Sequence, residues 1–203
     1  MQHGLFSDNE SQSLPLADAK VQYLPNWLDN KTANTLFDLF LEELDWQEGT
    51  INIFGKTMKI PRLQAWYGDV GTDYTYSGVR MQPLHWQREL HSLKAQCEQQ
   101  CETQFNSVLA NLYRHGQDSM GMHSDDEPEL GCEPVIASVS LGELRNFDFK
   151  HKVSGEKFRL PLEHGSLLIM RGETQKFWQH GIAKTKQDLQ ARMNFTFRRV
   201  LVD

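Results

Sequence analysis

The chain has 203 residues, of which 39% are apolar and 24% charged, enough for one domain with a substantial core. No window approaches ~18 consecutive apolar residues, which excludes a membrane-spanning helix, and the N-terminus lacks the charged-then-apolar layout of a signal peptide. Three cysteines, Cys97, Cys101 and Cys132, do not make a disulfide framework, so a cytoplasmic, reduced protein is the expectation. The net charge of −6 argues against a simple polyanion binder. However, nine acids and two lysines fall within residues 1–50, which leaves the rest of the chain close to neutral; a local nucleic-acid surface there is compatible with composition.

Residues 1–20 are polar and aperiodic and read as a loose arm ahead of a single domain over 21–203. Asp29 or Asn30 can cap a helix with Ala33, Leu36, Phe37, Phe40, Leu41 and Leu44 on its apolar face. Residues 51–60 alternate about Phe54-Gly55, a hairpin pattern. Pro83 can start a second helix, with Leu90, Leu93, Cys97 and Cys101 on one face; thiols one turn apart pack as small apolar groups.

Beyond residue 105 the texture becomes strand-like. Ser107–Tyr113, Val135–Leu141, Asn146–His151, Lys157–Leu162, Ser166–Met170, Phe177–Ile182 and Arg192–Val202 are short runs separated by Gly and polar turns. Helices first and closely spaced strands after predict an α+β fold: a jelly roll over 106–203 with supporting helices and a hairpin over 21–105.

His123-Ser-Asp125 places an imidazole and a carboxylate two residues apart, on one face of a strand. A second histidine from a distant strand would complete a 2-His-1-carboxylate face, leaving about three octahedral positions open. Eight histidines and 27 acids predict about one such pair by chance, so the spacing alone is weak. Arg192-Met-Asn194-Phe-Thr196-Phe-Arg198 is more telling. Its even positions share one face and Met193, Phe195 and Phe197 the other. Two arginines and an asparagine aimed into a sheet are costly unless an anion sits there, and the planar guanidinium fork suits a carboxylate. The alternative is an exposed face with solvated arginines. Asn111-Leu-Tyr113 repeats the i, i+2 geometry with two more hydrogen-bonding groups.

Asn111-x-Tyr113, His123-x-Asp125, His180 and Arg192-x-Asn194-x₃-Arg198 together resemble the AlkB family of alkylation-repair dioxygenases. Pro61-Arg-Leu-Gln-Ala-Trp-Tyr-Gly68, Tyr74-Thr-Tyr-Ser-Gly78, Ser138-Val-Ser-Leu-Gly142 and Trp178-Gln-His180 extend the likeness over most of residues 50–200. The likeness is greatest to the branch that contains the two human DNA-repair members. It implies a double-stranded β-helix, the jelly-roll core. His123, Asp125 and His180 are implied as Fe(II) ligands, and Asn111, Tyr113, Arg192, Asn194 and Arg198 as holding 2-oxoglutarate. With O₂, the implied reaction converts 2-oxoglutarate to succinate and CO₂ and removes an N-methyl group from a base of DNA or RNA as formaldehyde. The site would be nucleoid-associated in a bacterium and nuclear in a eukaryote, in a protein expected to act as a monomer. Met122 stands where the family commonly has an aromatic, and His115, His151 and His164 match no ligand position and read as surface or turn residues.

The target base must leave its stack to reach the metal. By resemblance Tyr76 would stack on it, Arg145 would lie near it, and Phe54 would fill the gap that it leaves in a duplex; from spacing alone Tyr76 is equally a half-buried strand aromatic, Arg145 a surface turn residue, and Phe54 a side chain folded back onto the domain. Asp126, directly after Asp125, is a candidate contact for the cationic base that N1 or N3 methylation produces; its alternative is a solvated turn acid. Lys56, Lys59 and Arg62 form a stretch without acids, suited either to tracking phosphates or to an ordinary solvated face. The triad alone also fits an oxygenase with a substrate other than nucleic acid, or a non-oxidative metal-binding jelly roll. The second of these would leave Arg192 and Arg198 unexplained.

Overall fold

The computed structural model describes residues 11–53, 56–76 and 79–201, with backbone only inside 51–57 and 74–81. In chain order the elements are β1 (Gln12–Ser13), β2 (Lys20–Leu24), α1 (Asn30–Glu43), β3 (Gln47–Ile53), β4 (Lys56–Gly68), β5 (Tyr74–Tyr76), β6 (Val79–Met81), α2 (Arg88–Cys101), β7 (Ser107–Tyr113) and β8 (Met120–His123). They continue with β9 (Ile136–Gly142), β10 (Arg145–His151), β11 (Lys157–Leu162), β12 (Ser166–Arg171), α3 (Thr174–Phe177), β13 (Trp178–Ile182) and β14 (Arg192–Arg198). An eight-stranded sheet runs β1-β2-β12-β9-β14-β7-β4-β3, and a four-stranded sheet runs β11-β10-β13-β8. Two facing sheets with helices against the larger one make the expected jelly roll. No helix among the described residues is long and apolar enough to cross a membrane.

Strand alternation divides the apolar side chains between two cores. Met193, Phe195 and Phe197 of β14 join Phe40 of α1 and Leu90, Leu93, Cys97 and Cys101 of α2 on the helix side of the large sheet. Val21, Tyr23, Phe147, Phe149, Leu162, Leu168, Met170 and Trp178 form a second cluster with Tyr113. The opposite face of β14 is therefore left for polar side chains. Asp29 caps α1, its carboxylate accepting from the Thr32 N–H.

Two expectations need correction. The second helix begins at Arg88, five residues after Pro83. The intervening chain is held extended because the Leu84 N–H donates to the Trp66 carbonyl and the Leu84 carbonyl accepts from Gly68. The arm is not loose over its second half. Gln12–Ser13 pairs with β2, β2 pairs with β12, Leu16 is buried, and the Trp178 indole donates to the Ala17 carbonyl at 2.7 Å. The hairpin of β3 and β4 forms as expected, with Ile53 opposite Lys56.

Candidate metal centre

β8 and β13 are antiparallel neighbours that bring His123 directly opposite His180. Gly181 permits this close approach: a Cβ there would lie 2.9 Å from the carbonyl oxygens of Met120 and Gly121. The two rings meet at a tilt, with centroids 4.5 Å apart. Asp125 follows β8 in the loop and turns back beneath them. Its Oδ2 is 3.6 Å from His180 Nε2 and its Oδ1 is 3.9 Å from His123 Nε2. One donor atom from each of the three lies within 4.8 Å of the others, a spacing that one ion can bridge. The donor set itself, two imidazoles and one carboxylate, is that of non-haem iron(II) oxygenases.

Local contacts fix the donors. His123 Nδ1 is 2.9 Å from the Gly121 carbonyl oxygen. A carbonyl only accepts, so Nδ1 carries the proton and Nε2 presents its lone pair. Burial, and then the neighbouring His180, pull the His123 imidazole down to about 4, so it is uncharged and competent to ligate at neutral pH. The His180 ring stacks on Phe147 at 5.1 Å. The Asp125 N–H donates to Gln175 Oε1 at 2.9 Å, which holds the loop in place. Burial by itself would raise the Asp125 carboxyl, but the Arg198 guanidinium at 2.6 Å, helped by the two histidines, outweighs burial and keeps it well below the usual carboxylate range.

The polar face of β14 meets this triad from the large sheet. Arg192, Asn194, Thr196 and Arg198 line one cavity with His123, Asp125 and His180, closed by Tyr113, Met120, Phe147, Met170 and Ile182. Arg192 is 1% exposed. Its Nη2 donates to Ser140 Oγ at 2.9 Å, while Nε and Nη1 find no partner among the described residues. Burial pulls this guanidinium down to about 10, and its charge remains inside the fold. Two free buried donors on a cation are a strong demand for an anionic acceptor, which a dicarboxylate cosubstrate meets. The cavity encloses about 20 Å³, roughly one water. A larger hollow of about 250 Å³ lies against β3 and β4 beside Ile60, Trp66 and Leu84. Among the described residues its lining has no histidine and no cation, so size does not mark the chemistry here.

Comparison with known proteins bears on this geometry. Residues 20–198 match the model of the 2OG-Fe(II) oxygenase superfamily. The chain is 40% identical over 199 residues to the alpha-ketoglutarate-dependent dioxygenase alkB homolog 3 of Bos taurus, a match that covers 93% of this chain and 69% of the relative. It is 39% identical over 181 residues to the DNA oxidative demethylase ALKBH2 of Homo sapiens, covering 84% and 69%. The chain belongs to the AlkB family of 2OG-Fe(II) oxygenases. The solved structure of OsALKBH1 shares the fold, with a TM-score of 0.65 at 17% identity over 88% of this chain and 97% of that one. As an AlkB-family dioxygenase the chain uses Fe(II), 2-oxoglutarate and O₂.

Within this AlkB-family site the remaining candidates fall in different places. Tyr113 lies under two guanidinium groups, Arg192 at 5.3 Å and Arg145 at 5.7 Å from its ring centre. Asn194 is spoken for: its Nδ2 donates to Ser138 Oγ and the Val139 carbonyl, and its Oδ1 accepts from Thr196. Asn111 pairs with Asn194 in register, and its Nδ2 is buried with no partner among the described residues. Asp126 stands at the surface, 3.1 Å from the Lys152 ammonium. Lys59 is also exposed and pairs with Glu48 at 2.6 Å. Phe54 lies outside the described residues, as do the side chains of Lys56 and Tyr76.

Three readings are corrected. Arg145 does not offer its fork to a base: it is buried, and donates to the carbonyls of His115, Asp118 and Ala183. Its planar donors tie the β7–β8 loop to the loop after β13, and its charge sits against Tyr113. Arg62 is not a surface phosphate contact. It is 4% exposed and points inward, donating to Asn111 Oδ1 and the Ser119 carbonyl. His151 is not a surface residue but a buried ring stacked on Phe177, with Ser154 against its Nδ1. Sequence reasoning also missed Gln64, Gln175 and Ser140. Gln64 was findable, because Arg62 and Gln64 share a strand face at i, i+2. Gln175 sits in a four-residue helix where no period can be read.

Proposed function

We propose that this AlkB-family dioxygenase demethylates N-alkylated bases, of the 1-methyladenine and 3-methylcytosine type, in DNA, with RNA as the second polymer to test. The observation that carries the reading is the shared cavity: a three-donor metal face looks across it at a buried arginine with two unused donors. Identity of about 40% to relatives named as a DNA oxidative demethylase and an alkB homologue directs the chemistry to nucleic acid.

Iron(II) with 2-oxoglutarate and O₂ supplies the oxidant for an N-alkyl carbon. In our reading this chain's residues do the rest. His123, Asp125 and His180 would hold the ion, each offering one donor atom. Arg192, with Tyr113 and Asn111, receives one carboxylate of the cosubstrate. Arg198 orients Asp125 and adds a second positive charge for the other carboxylate. Phe147, Met170 and Ile182 keep water from the reacting atoms. By the resemblance Tyr76 would stack on the flipped base, with the exposed Asp126 and Lys59 as weaker candidates for base and backbone contact.

The deciding experiment measures succinate and formaldehyde together over a panel of methylated single- and double-stranded DNA and RNA oligonucleotides. Coupled release of both, one for one, is expected on N1-methyladenine and N3-methylcytosine. Succinate release with no formaldehyde across the whole panel would redirect the site to another substrate.

A further inference from the structure

Arg62 and Gln64 lie on β4, the second strand of the β3–β4 hairpin. Both point at one atom. Arg62 Nε donates to Asn111 Oδ1 at 2.8 Å and Gln64 Nε2 donates to the same oxygen at 3.1 Å. The three side chains are buried, with Asn111 wholly inaccessible and Arg62 and Gln64 each 4% exposed. Gln64 and Asn111 are cross-strand partners between β4 and β7, and Asn111 and Asn194 are partners between β7 and β14.

The chemistry of this contact has one solution. A guanidinium carries donors and no acceptor, so the atom of Asn111 that faces Arg62 must be its oxygen. The amide nitrogen is then compelled to face away from Arg62. That nitrogen is buried and without a partner among the described residues, on the sheet face that carries Tyr113, Arg192 and Asn194. Without the guanidinium, the carboxamide is free to turn over and present oxygen instead, an acceptor against an anion. Arg62 also donates to the Ser119 carbonyl at 3.1 Å, one residue before β8. The same side chain therefore ties the strand of Asn111 to the strand of His123.

We infer that Arg62, supported by Gln64, is a positioning residue that locks the Asn111 carboxamide with its N–H toward the 2-oxoglutarate carboxylate. The inference rests on our reading of Asn111 as a cosubstrate contact. It gives two residues of β4 a role in cosubstrate affinity exerted through Asn111.

Calorimetric titration of 2-oxoglutarate into Mn²⁺-loaded protein tests this, using Arg62→Met, Asn111→Ala and the double variant. A hydrogen bond from an amide to a charged carboxylate sets the scale at roughly ten- to hundredfold in affinity. Arg62→Met should weaken binding by about that factor. Asn111→Ala should weaken it as much, and adding Arg62→Met to Asn111→Ala should cost nothing further, because both act through one nitrogen. Arg62→Lys, which keeps a donor, should recover part of the affinity and keeps the test open if Arg62→Met folds poorly. Gln64→Leu should give a smaller loss of the same kind. An equal Arg62→Met loss in the Asn111→Ala background would overturn the inference, since Arg62 would then act by another route. Wild-type affinity in Asn111→Ala would overturn the cosubstrate contact itself, which is a separate failure.

Discussion

Arg198→Met removes the cation that faces Asp125 and keeps an unbranched side chain in its place. In the wild type the Arg198 Nη2–Asp125 Oδ1 separation is 2.6 Å, and the two side chains are 3% and 1% exposed. Unit charges about 4 Å apart interact by ~4 kcal/mol at an effective dielectric of ~20. Removing one partner of a buried pair typically costs ~3–5 kcal/mol, because the remaining charge is stranded. The metal-free variant should therefore lose about 3–5 kcal/mol, a large share of the ~5–15 kcal/mol that holds most domains folded. For a chain of this size that is a fall of roughly 6–20 °C in Tm, at ~2–4 °C per kcal/mol. Mn²⁺ should narrow the gap between variant and wild type, because a divalent ion among His123, Asp125 and His180 supplies the missing positive charge. Urea denaturation of both proteins, with chelator and with saturating Mn²⁺, measures the two gaps. If they are equal, Arg198 stabilises by packing and the electrostatic reasoning fails. If the metal-free variant is as stable as wild type, no stranded carboxylate exists.

The same pair has a pH signature in metal-free protein. The folded Asp125 carboxyl is lowered, so its contribution is whole above the ordinary value of ~3.9 and drains as pH falls below it. The stability gap to Arg198→Met should stay constant from pH 7 to about 4 and shrink as pH falls further, read by melting temperature. His123→Ala, Asp125→Ala and His180→Ala should each abolish turnover; wild-type activity at limiting iron in any one removes that residue from the triad. Arg192→Lys keeps the charge but loses the fork, so the apparent 2-oxoglutarate requirement should rise roughly ten- to hundredfold, checked by succinate release. Phe54→Ala should reduce repair of duplex DNA about tenfold, ~1.4 kcal/mol, and change single-strand repair little. Equal losses on both substrates at fixed salt would make Phe54 a packing residue.

What could be read along the chain was whatever depends on local alternation. Ser107–Tyr113 and Lys157–Leu162 are strands with the bounds expected of them. The division of β14 into an apolar and a polar face holds residue by residue. Lys20-Val-Gln-Tyr-Leu24 shows the same alternation and is a strand, but it straddles the boundary read at residue 20 and is assigned no element from sequence. Resemblance, not pattern, connected His180 to His123, because strand register across such a distance leaves no mark in the sequence. Arg62 and Arg145 were misread for one shared reason. A charged side chain on a strand defaults to solvent, and only distant acceptors turn it inward. The Asn111 oxygen is 49 residues from Arg62, and the carbonyls that hold Arg145 come from three separate positions.

The site lies between the sheets, and this links metal binding to the packing of the fold. His123 and His180 belong to the four-stranded sheet; Arg192, Asn194 and Arg198 belong to the eight-stranded one. Asp125 is on the loop that leaves β8 and bonds across the cavity to Arg198. A metal ion seated on the triad therefore meets a carboxylate whose position is set by the opposite sheet. Any separation of the sheets that stretches the Asp125–Arg198 contact also displaces a ligand. The reverse holds by linkage: an ion that binds only the closed arrangement stabilises the docked sheets by RT ln(1 + [M]/Kd). β14 carries this coupling, because its apolar face, Met193, Phe195 and Phe197, is anchored against α1 and α2. A cavity-forming change such as Phe195→Ala lies behind the sheet, away from the metal, yet it loosens the strand that positions both arginines. Its cost should appear in cosubstrate and metal affinity as well as in stability.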